Sequence, residues 1–259
     1  MNIVVCIKQV PDVKDIKWTK ENNLDRSLML SKINKQDDWA LDWALSAKYN
    51  NFNTKVTAIS MGPKPAIDVL NYALAKGCDR AILLCDKMFA ASDTLATSKI
   101  LSCAIAKYIP SYNIVLTGQM AEDGDTAQVP VSISQLLNIE DYSNVVEIVN
   151  ANQNDVIIKQ KIENKINIYS AKTPCLFAIK EECPNKNIPR IKDYIKAQNT
   201  GVEEYSFNDL GLDKNEVGIM GSPTVVYKAF RPIINKDTVE IKENYANFIL
   251  DTIKQVGLQ

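Results

Sequence analysis

The stretch that decides the fold runs from residue 113 to residue 128 and reads Asn-Ile-Val-Leu-Thr-Gly-Gln-Met-Ala-Glu-Asp-Gly-Asp-Thr-Ala-Gln. Its apolar start, residues 114–117, is typical of a buried parallel strand. Gly118 and Gly124 permit a positive φ or a close approach of backbone to ligand. Asp125 and Thr126 can cap a helix, expected over residues 126–137, whose free N–H groups attract phosphate. The stretch predicts either a nucleotide-phosphate loop or an ordinary strand-to-helix turn.

Three similar apolar runs precede this stretch, at residues 3–7, 56–61 and 81–85. Helical patterns, centred on residues 39–47, 66–74 and 95–108, separate the four runs. This β-α-β-α-β-α-β order predicts an α/β fold, a Rossmann-like parallel sheet with helices on both faces. Because ligands bind such sheets beyond the carboxyl ends of the strands, the candidate site loops are residues 8–11, residues 61–63 and the loop from Gly118.

The sequence also excludes several classes of site. It contains no histidine, so His-based triads and His metal sites are ruled out. The six cysteines form no C-x-x-C pair and are expected to be reduced core thiols, with Cys183 the exposed one. Neither a Gly-x-Gly-x-x-Gly fingerprint nor a Gly-Lys-Ser/Thr loop is present, which argues against a standard dinucleotide fold and a P-loop.

Composition indicates a globular chain of 259 residues with 46% apolar residues and a formal net charge of −1. The mixed charges form no basic stripe, so no nucleic-acid partner is expected. No apolar run approaches the roughly 18 residues that span a bilayer, so no membrane association is expected either. The first residues enter a strand at once without a secretory pattern, which predicts a cytoplasmic location.

The second half of the chain has a different texture. Short runs at residues 145–149, 156–161, 166–171 and 176–179 predict hairpins and one strand that returns to the sheet. Beyond Lys180 the chain is polar and interrupted by prolines, and it ends in an amphipathic helix over residues 244–256. We therefore expect an α/β domain at 1–183, a recognition loop and helix at 184–200, and a C-terminal arm at 201–259. The arm either returns to the domain or wraps a partner subunit.

Seven segments, in order and over nearly the whole chain, resemble the β (small) subunit of electron transfer flavoproteins. The clearest is Asp-Gly-Asp-Thr-Ala-Gln-Val at residues 123–129. The others lie at residues 3–12, 33–45, 61–63, 73–81, 92–97 and 221–224.

The resemblance implies that the chain pairs with a larger α subunit that carries FAD and itself binds an adenine nucleotide. The nucleotide is AMP in most members and a second FAD in the electron-bifurcating class, where it accepts hydride from NADH. Residues 3–12 and 221–224 resemble bifurcating sequences, which favours FAD. By position, the implied cofactor-binding residues are Cys6, Asn34, Lys35, Gln36, Asp37, Met61, Gly118, Gln119, Met120, Ala121, Asp123, Gly124, Asp125, Thr126, Ala127, Gln128 and Val129.

Physical roles can be assigned to some of these residues. Strand-end backbone groups at Cys6 and Met61 would contact adenine, Asn34 would donate to ribose or a ring nitrogen, and N–H groups of residues 126–129 would bind phosphate. The alternatives are a plain helix N-cap for Asn34 and a core sulfur for Met61. Asp123 and Asp125 are expected to brace the loop by accepting backbone N–H bonds, with Asp125 also in reach of ribose.

The chain departs from the family pattern at three places in this region. Met120 stands where the family usually has Gln, Glu122 where it has an apolar residue, and Pro130-Val131 where it has Gly-Pro. Because Met cannot donate a hydrogen bond to a ring or a phosphate, these departures bear on which nucleotide binds and how tightly.

A second functional segment falls at the position of the family's partner-recognition loop, which docks onto acyl-CoA dehydrogenases. The predicted hot spot consists of Ile188, Pro189, Arg190, Ile191 and Tyr194. The alternative is a helix that packs this apolar face inward.

Two other function classes stay open at the level of sequence. An ATP-using enzyme of similar architecture would need Lys or Arg near the phosphate loop, and the Gly118 loop contains neither. A nucleotide-sensing protein without redox chemistry would bind AMP, and no FAD would be recovered when it is purified with any partner.

Overall fold

The computed structural model describes residues 1–12, 31–51, 53–225 and 244–256. The strands in these ranges are β1 (Asn2–Cys6), β2 (Gln9–Pro11), β3 (Ser31–Ile33), β4 (Lys55–Met61), β5 (Arg80–Leu84), β6 (Ile114–Gly118), β7 (Glu140–Ala151), β8 (Asp155–Ile162), β9 (Lys165–Lys172), β10 (Cys175–Ile179) and β11 (Glu203–Tyr205). The helices are α1 (Lys35–Asn50), α2 (Ile67–Lys76), α3 (Thr94–Tyr108), α4 (Val129–Leu137), α5 (Ile191–Thr200), α6 (Phe207–Leu210) and α7 (Tyr245–Val256).

Nine strands form one sheet in the order β11-β5-β4-β1-β6-β10-β7-β8-β9, and β2 pairs separately with β3. The first seven strands of that order are parallel to their neighbours. Strands β7, β8 and β9 form antiparallel hairpins at one end of the sheet. The structure thus confirms the predicted α/β fold, the hairpins, and the returning strand, which is β10.

The continuous apolar runs arise because both faces of the sheet are covered. Along β1, Ile3 and Val5 enter the core beneath α1 and α2, whereas Val4 and Cys6 enter the core beneath α3 and α4. A strand whose side chains alternate between two buried faces needs an apolar residue at every position.

The site lies where the order of the strands reverses. β1 is flanked by β4 and β6, and the chain leaves β1 toward one side and returns through β6 on the other. In open α/β sheets, a crevice for ligands forms at the carboxyl ends of the strands at this switch point. The loops after β1 and β6 therefore face each other there.

Two predictions about the second half need correction. Cys183 is completely buried rather than exposed, because the indole N–H of Trp43 donates to the Glu181 carbonyl oxygen at 3.2 Å and draws this segment against α1. The C-terminal arm was expected from residue 201, yet β11 pairs with β5 and joins the sheet. The chain up to Ser222, whose hydroxyl accepts from the Asp93 N–H at 2.8 Å, is thus attached to the α/β unit.

The predicted terminal helix is present as α7. Its large apolar side chains between Tyr245 and Ile253 are exposed, and the largest exposed fractions among them belong to Tyr245, Ile249 and Leu250. Within the described ranges, no helix has the length and apolar character needed to cross a membrane.

A buried charge network joins α1 to α2. The ammonium group of Lys76, only 2% exposed, lies 2.6 Å from Asp42 and 2.8 Å from Asp38. Burial acts to lower the pKa of Lys76, but the hydrogen bonds and charges of the two aspartates outweigh it and raise that pKa. The same network holds the next segment of the chain, since Asp42 accepts the N–H of Asn187 at 3.2 Å and the Lys76 carbonyl accepts its side-chain amide.

Replacing Lys76 with Met should lower the free energy of unfolding by about 3–5 kcal/mol, because Asp42 would be left buried without its counter-ion. Urea unfolding measures this change. The matched control is Lys48→Met, since Lys48 pairs with Asp79 at 2.7 Å in a more exposed setting, where about 1 kcal/mol or less is expected. Equal losses in the two variants would contradict the buried network as the cause.

Candidate functional site

The predicted strand-end residues do come together at one edge of the sheet. Cys6, Met61 and Gly118 end the parallel strands β1, β4 and β6. Cys6 is buried, and burial followed by the charge of Asp37 raises the pKa of its thiol, which stays protonated. The Met61 side chain packs against the core, as the alternative interpretation had it. Contacts from the backbone of Cys6 or Met61 to adenine remain a prediction.

The beginning of the Gly118 loop is held by the start of α1. The Asp37 carboxylate accepts the Gly118 N–H at 2.9 Å through Oδ1 and the Lys8 N–H at 2.8 Å through Oδ2. Gly118 does not have a positive φ; it is required because a Cβ there would lie 2.5 Å from Asp37 Oδ1. The predicted close approach is thus made by a protein carboxylate.

Gln36 and Asn34 continue this attachment along the loop. Gln36 Oε1 accepts the Met120 N–H at 2.9 Å, and the Asn34 amide donates to the Met120 carbonyl oxygen at 3.0 Å. Asn34 also accepts the Glu122 N–H at 3.1 Å. Asn34 does occupy the N-cap position of α1, but its completely buried side chain makes no cap bond and braces the loop instead. Both of these hydrogen bonds to residue 120 use its backbone, so the Gln that the family usually has at this position could form them as well.

Two further predicted residues face away from the loop. The Lys35 ammonium lies 5.1 Å from the ring centroid of Trp39 on the surface of α1. Gln119 is buried on the side of β10 and β7, where its N–H donates to the Ile179 carbonyl oxygen at 2.8 Å and its Oε1 accepts the Asn144 N–H at 2.6 Å. The Gln119 side chain thus ties the start of the loop to β7, whereas Lys35 makes its contact within α1.

Asp37 is the titratable group with the largest consequence in this region. Burial raises its pKa to about 7, against the lowering effect of hydrogen bonds from Asn34, Lys8 and Gly118. The carboxylate is therefore costly to ionise, and the three donors around it recover part of that cost. A buried acid with a pKa near neutrality at a strand-end crevice marks a functional region.

Two lysines hold the middle of the loop: Lys8, from the predicted site loop at residues 8–11, and Lys32, which the sequence did not assign to the site. Lys8 Nζ lies 2.7 Å from Asp123, and Lys32 Nζ lies 3.0 Å from Glu122. Asp123 thus braces the loop through a cation rather than by the predicted backbone N–H bonds. The only sequence signal was the position of Lys8, directly after the first strand.

The second half of the loop is exposed and has a different geometry. Asp125 and Ala127 adopt positive φ values of 50° and 53°, and α4 begins at Val129 after Gln128, which makes no side-chain cap. The predicted helix start at Thr126 and the predicted cap by Asp125 and Thr126 are therefore wrong, because residues with left-handed φ cannot belong to a right-handed helix.

This geometry creates an anion-binding concavity. Ala127 with a positive φ followed by Gln128 in the right-handed region is a pairing that turns successive N–H groups toward one point. Within the described part of the chain, the N–H groups of residues 126–128 have no hydrogen-bond acceptor. Together with the first turn of α4, they can bind a phosphate.

A cleft of about 490 Å³ continues from this concavity. It lies between the starts of α3 and α4 and the segment that leads to the C-terminal arm, and its lining residues are Asp93, Thr94, Leu95, Ala127, Gln128, Val131, Ser132, Pro223 and Thr224. The sequence analysis singled out residues 92–97 and 221–224 as family segments without giving them a role in the site.

Polar contacts define the walls of the cleft. The Thr94 hydroxyl donates to Gln128 Oε1 at 2.8 Å. Asp93 caps α3 through Oδ1 and accepts the N–H and hydroxyl of Thr224 at 3.0 and 2.8 Å through Oδ2. Partial burial opposes these hydrogen bonds, but they dominate and lower the pKa of Asp93. The Asp93 carboxylate therefore joins the segment at Thr224 to the start of α3, beside the Gly118 loop.

The predicted recognition residues lie on the surface beside α5. Ile188 and Ile191 are 79% and 83% exposed, and Tyr194 is also exposed, whereas Ala197 is the buried residue of α5. The alternative of a helix that packs this apolar face inward is therefore wrong. Arg190 is exposed and pairs with Asp193 at 3.2 Å, and Pro189 is half-buried between the two isoleucines.

Replacing Gly118 with Ala should lower the free energy of unfolding by about 1–3 kcal/mol, because its Cβ would overlap Asp37 and force the loop to shift. Urea unfolding measures this change. Gly124→Ala in the same loop is the matched control, since no heavy atom lies within 4 Å of its added Cβ, and its stability should stay the same or rise by up to about 1 kcal/mol. A loss for Gly124→Ala as large as that for Gly118→Ala would contradict the steric argument.

Comparison with known proteins identifies the family. Residues 28–210 match the profile described as the electron transfer flavoprotein domain. The electron transfer flavoprotein subunit beta of Thermoanaerobacterium thermosaccharolyticum is 39% identical over 255 residues, which cover 96% of each chain. Protein FixA of Bradyrhizobium diazoefficiens is 34% identical over 98% of this chain and 91% of its own. The caffeyl-CoA reductase-Etf complex subunit CarD of Acetobacterium woodii is 34% identical over 90% of this chain and 88% of its own. The chain therefore belongs to the electron transfer flavoprotein family, among its β subunits.

Proposed function

We propose that this chain is the nucleotide-holding β subunit of a heterodimer whose larger α subunit carries FAD. The observation that most supports this proposal is the exposed half of the Gly118 loop, where the N–H groups of residues 126–128 have no acceptor among the described residues and a cleft adjoins them. In this proposal the chain binds an adenine nucleotide there and passes electrons between flavoenzymes or NADH and other acceptors.

The phosphate would be bound by backbone donors rather than by lysines. Lys8 and Lys32 are each held by a loop carboxylate, so their charges are already balanced. The N–H groups of residues 126–128 and the positive end of α4 remain to attract the phosphate charge. Adenosine would lie toward the strand ends at Cys6 and Met61, as the family resemblance implies.

The cleft favours FAD over AMP as the bound nucleotide. AMP ends at its phosphate, whereas FAD continues beyond a pyrophosphate to ribityl and ring groups. Beyond Gln128 the cleft offers apolar walls at Leu95, Val131 and Pro223 and hydroxyl groups at Thr94 and Thr224. Bound FAD would supply hydride and single-electron chemistry, which in the bifurcating class begins with NADH; the chain would bind, orient and shield it. AMP as a structural nucleotide is the alternative.

Docking of the α subunit is assigned to the C-terminal arm. The large apolar side chains of α7 whose burial is described, including Phe248, Ile249 and Ile253, are exposed. An amphipathic helix of this kind is suited to lie in an apolar groove of another chain. Asp93 holds Thr224 at the base of the arm, which gives the arm a firm point of departure from the sheet.

Docking of an acyl-CoA dehydrogenase-type flavoenzyme is assigned to the exposed patch Ile188, Pro189, Arg190, Ile191 and Tyr194. Clustered exposed isoleucines beside an aromatic and an arginine have the composition of an interface hot spot. A relative named as part of a caffeyl-CoA reductase complex supports a partner that acts on an acyl-CoA. A cytoplasmic location is part of the same proposal and rests on the sequence alone.

An ATP-using enzyme is less well supported than an electron carrier. Phosphoryl or adenylyl transfer needs cations placed on the phosphates. The two lysines that the fold brings to the loop contact Asp123 and Glu122 instead. Release of phosphate or pyrophosphate from ATP would favour that alternative, and binding of AMP with no FAD in any complex would favour a nucleotide sensor.

Nucleotide release tests the proposal directly. The chain is purified with its native α subunit and denatured, and FAD and AMP are quantified per heterodimer. Two FAD per heterodimer are expected if the cleft holds the second flavin. One FAD with one AMP would support the simple carrier, and the absence of any nucleotide from the β subunit would contradict the proposed site.

Replacing Ile191 with Asp should slow reduction of the heterodimer by an acyl-CoA dehydrogenase from the same cells by about tenfold or more, because a charge would enter the apolar patch. The rate of flavin bleaching at low dehydrogenase concentration measures this effect. Ile166→Asp is the matched control, since Ile166 is also exposed but lies on β9. Equal loss in both variants would remove the patch as the specific docking surface.

A further inference from the structure

Asp37 has the burial and the hydrogen bonds of a functionally important residue, although its carboxylate is not placed to contact a ligand. It is 7% exposed, and its two oxygens accept the N–H of Lys8, two residues beyond β1, and that of Gly118, the last residue of β6. Those two strands flank the crevice in which ligands bind, so a change at Asp37 displaces both of its walls.

We propose that Asp37 is a positioning residue of the nucleotide site, which acts through Gly118 and Lys8 and must be ionised to do so. Its carboxylate holds the start of the loop so that the N–H groups of residues 126–128 face the phosphates. This inference rests on the proposed nucleotide site and adds that one buried charge controls its shape.

The requirement for the ionised form follows from the groups around the carboxylate. The neighbours that contact it are donors: the N–H groups of Lys8 and Gly118 and the amide of Asn34. A protonated carboxyl would add a fourth donor where no acceptor is in contact, and one of the strand-end hydrogen bonds would be lost. The loop would then be released from α1 at its first residue.

The titratable groups that face Asp37 leave it free to respond near neutrality. On β1, Cys6 stays a thiol because burial raises its pKa. After β1, Lys8 directs its ammonium to Asp123, and along α1 the next carboxylate, Asp38, is bound to Lys76. Gly118 brings no charge from β6. The chain has no histidine, so an imidazole cannot produce a pH dependence in this range.

The pH dependence of stability and that of nucleotide binding have opposite signs. Burial raises the pKa of Asp37 from 3.8 to about 7, so the folded state favours the protonated form. Asp37 therefore contributes most to stability at low pH, and this contribution is lost as the pH rises from about 4 to about 7. The loop needs the ionised form of Asp37. As the pH rises toward 7, nucleotide affinity should therefore rise while the contribution of Asp37 to folding stability falls.

The test is a titration of the full chain with FAD, whose pyrophosphate diester does not change charge near neutral pH. The affinity of the wild type for FAD should be about tenfold lower at one pH unit below 7 than at one unit above 7. At the lower pH most Asp37 is protonated, so FAD binding must also ionise it. Asp37→Asn should bind about tenfold or more weakly at the higher pH and show no such pH dependence. Its urea midpoint should match that of the wild type at the lower pH, since Asn resembles the protonated acid.

The control variant is Asp79→Asn. Asp79 also accepts a strand N–H, that of Val56 at 2.8 Å, but it lies at the opposite edge of the sheet, so its replacement should leave FAD affinity and its pH dependence unchanged. Wild-type FAD affinity that does not vary across neutrality would overturn the inference even if Asp37→Asn failed to fold. Unchanged FAD binding by Asp37→Asn would overturn it as well. Failure of the wild type to bind either FAD or AMP would overturn the proposed nucleotide site itself.

Discussion

The pair of hydrogen bonds from the N–H groups of Lys8 and Gly118 to Asp37 is the interaction on which the position of the Gly118 loop depends. Parallel strands that end side by side leave backbone donors at the edge of the sheet, and a buried donor without an acceptor costs about 1–3 kcal/mol. One carboxylate from the first turn of α1 accepts two of them. Desolvation of this carboxylate costs free energy. Because the carboxylate lies so close to the backbone, position 118 must be Gly.

The loop after β6 has a held part and an open part, and this division suits its proposed role. Asn34, Gln36 and two ion pairs hold residues 118–123, so little order has to be gained there when a ligand binds. Residues 124–128 lie at or near the surface, and among the described residues the N–H groups of residues 126–128 have no acceptor. The balanced charges of the lysines and loop acids leave phosphate recognition to backbone donors, which suits a bound cofactor that is held rather than cleaved.

Helix α1 supports both functional regions of the chain. Its first residues hold the Gly118 loop, while Asp42 and Trp43, one to two turns later, hold the segment that leads to Ile188 and Ile191. The buried ammonium of Lys76 keeps the Asp42 side chain in place. The Gly118 loop and the exposed patch around Ile191 are thus both attached to α1, which fits their proposed roles in cofactor binding and partner docking.

The sequence by itself determined the strand and helix order, the parallel sheet, the hairpins and the family. These follow from apolar periodicity and from short motifs, which are local properties of the chain. Only the tertiary structure decided that Lys8 meets Asp123, 115 residues away, that Asn34 braces a loop instead of capping a helix, and that Cys183 is buried. It also moved the start of α4 to Val129 and added β11 to the sheet. Such features depend on which distant groups the packed sheet brings within hydrogen-bonding distance, and neither periodicity nor turn chemistry carries that information.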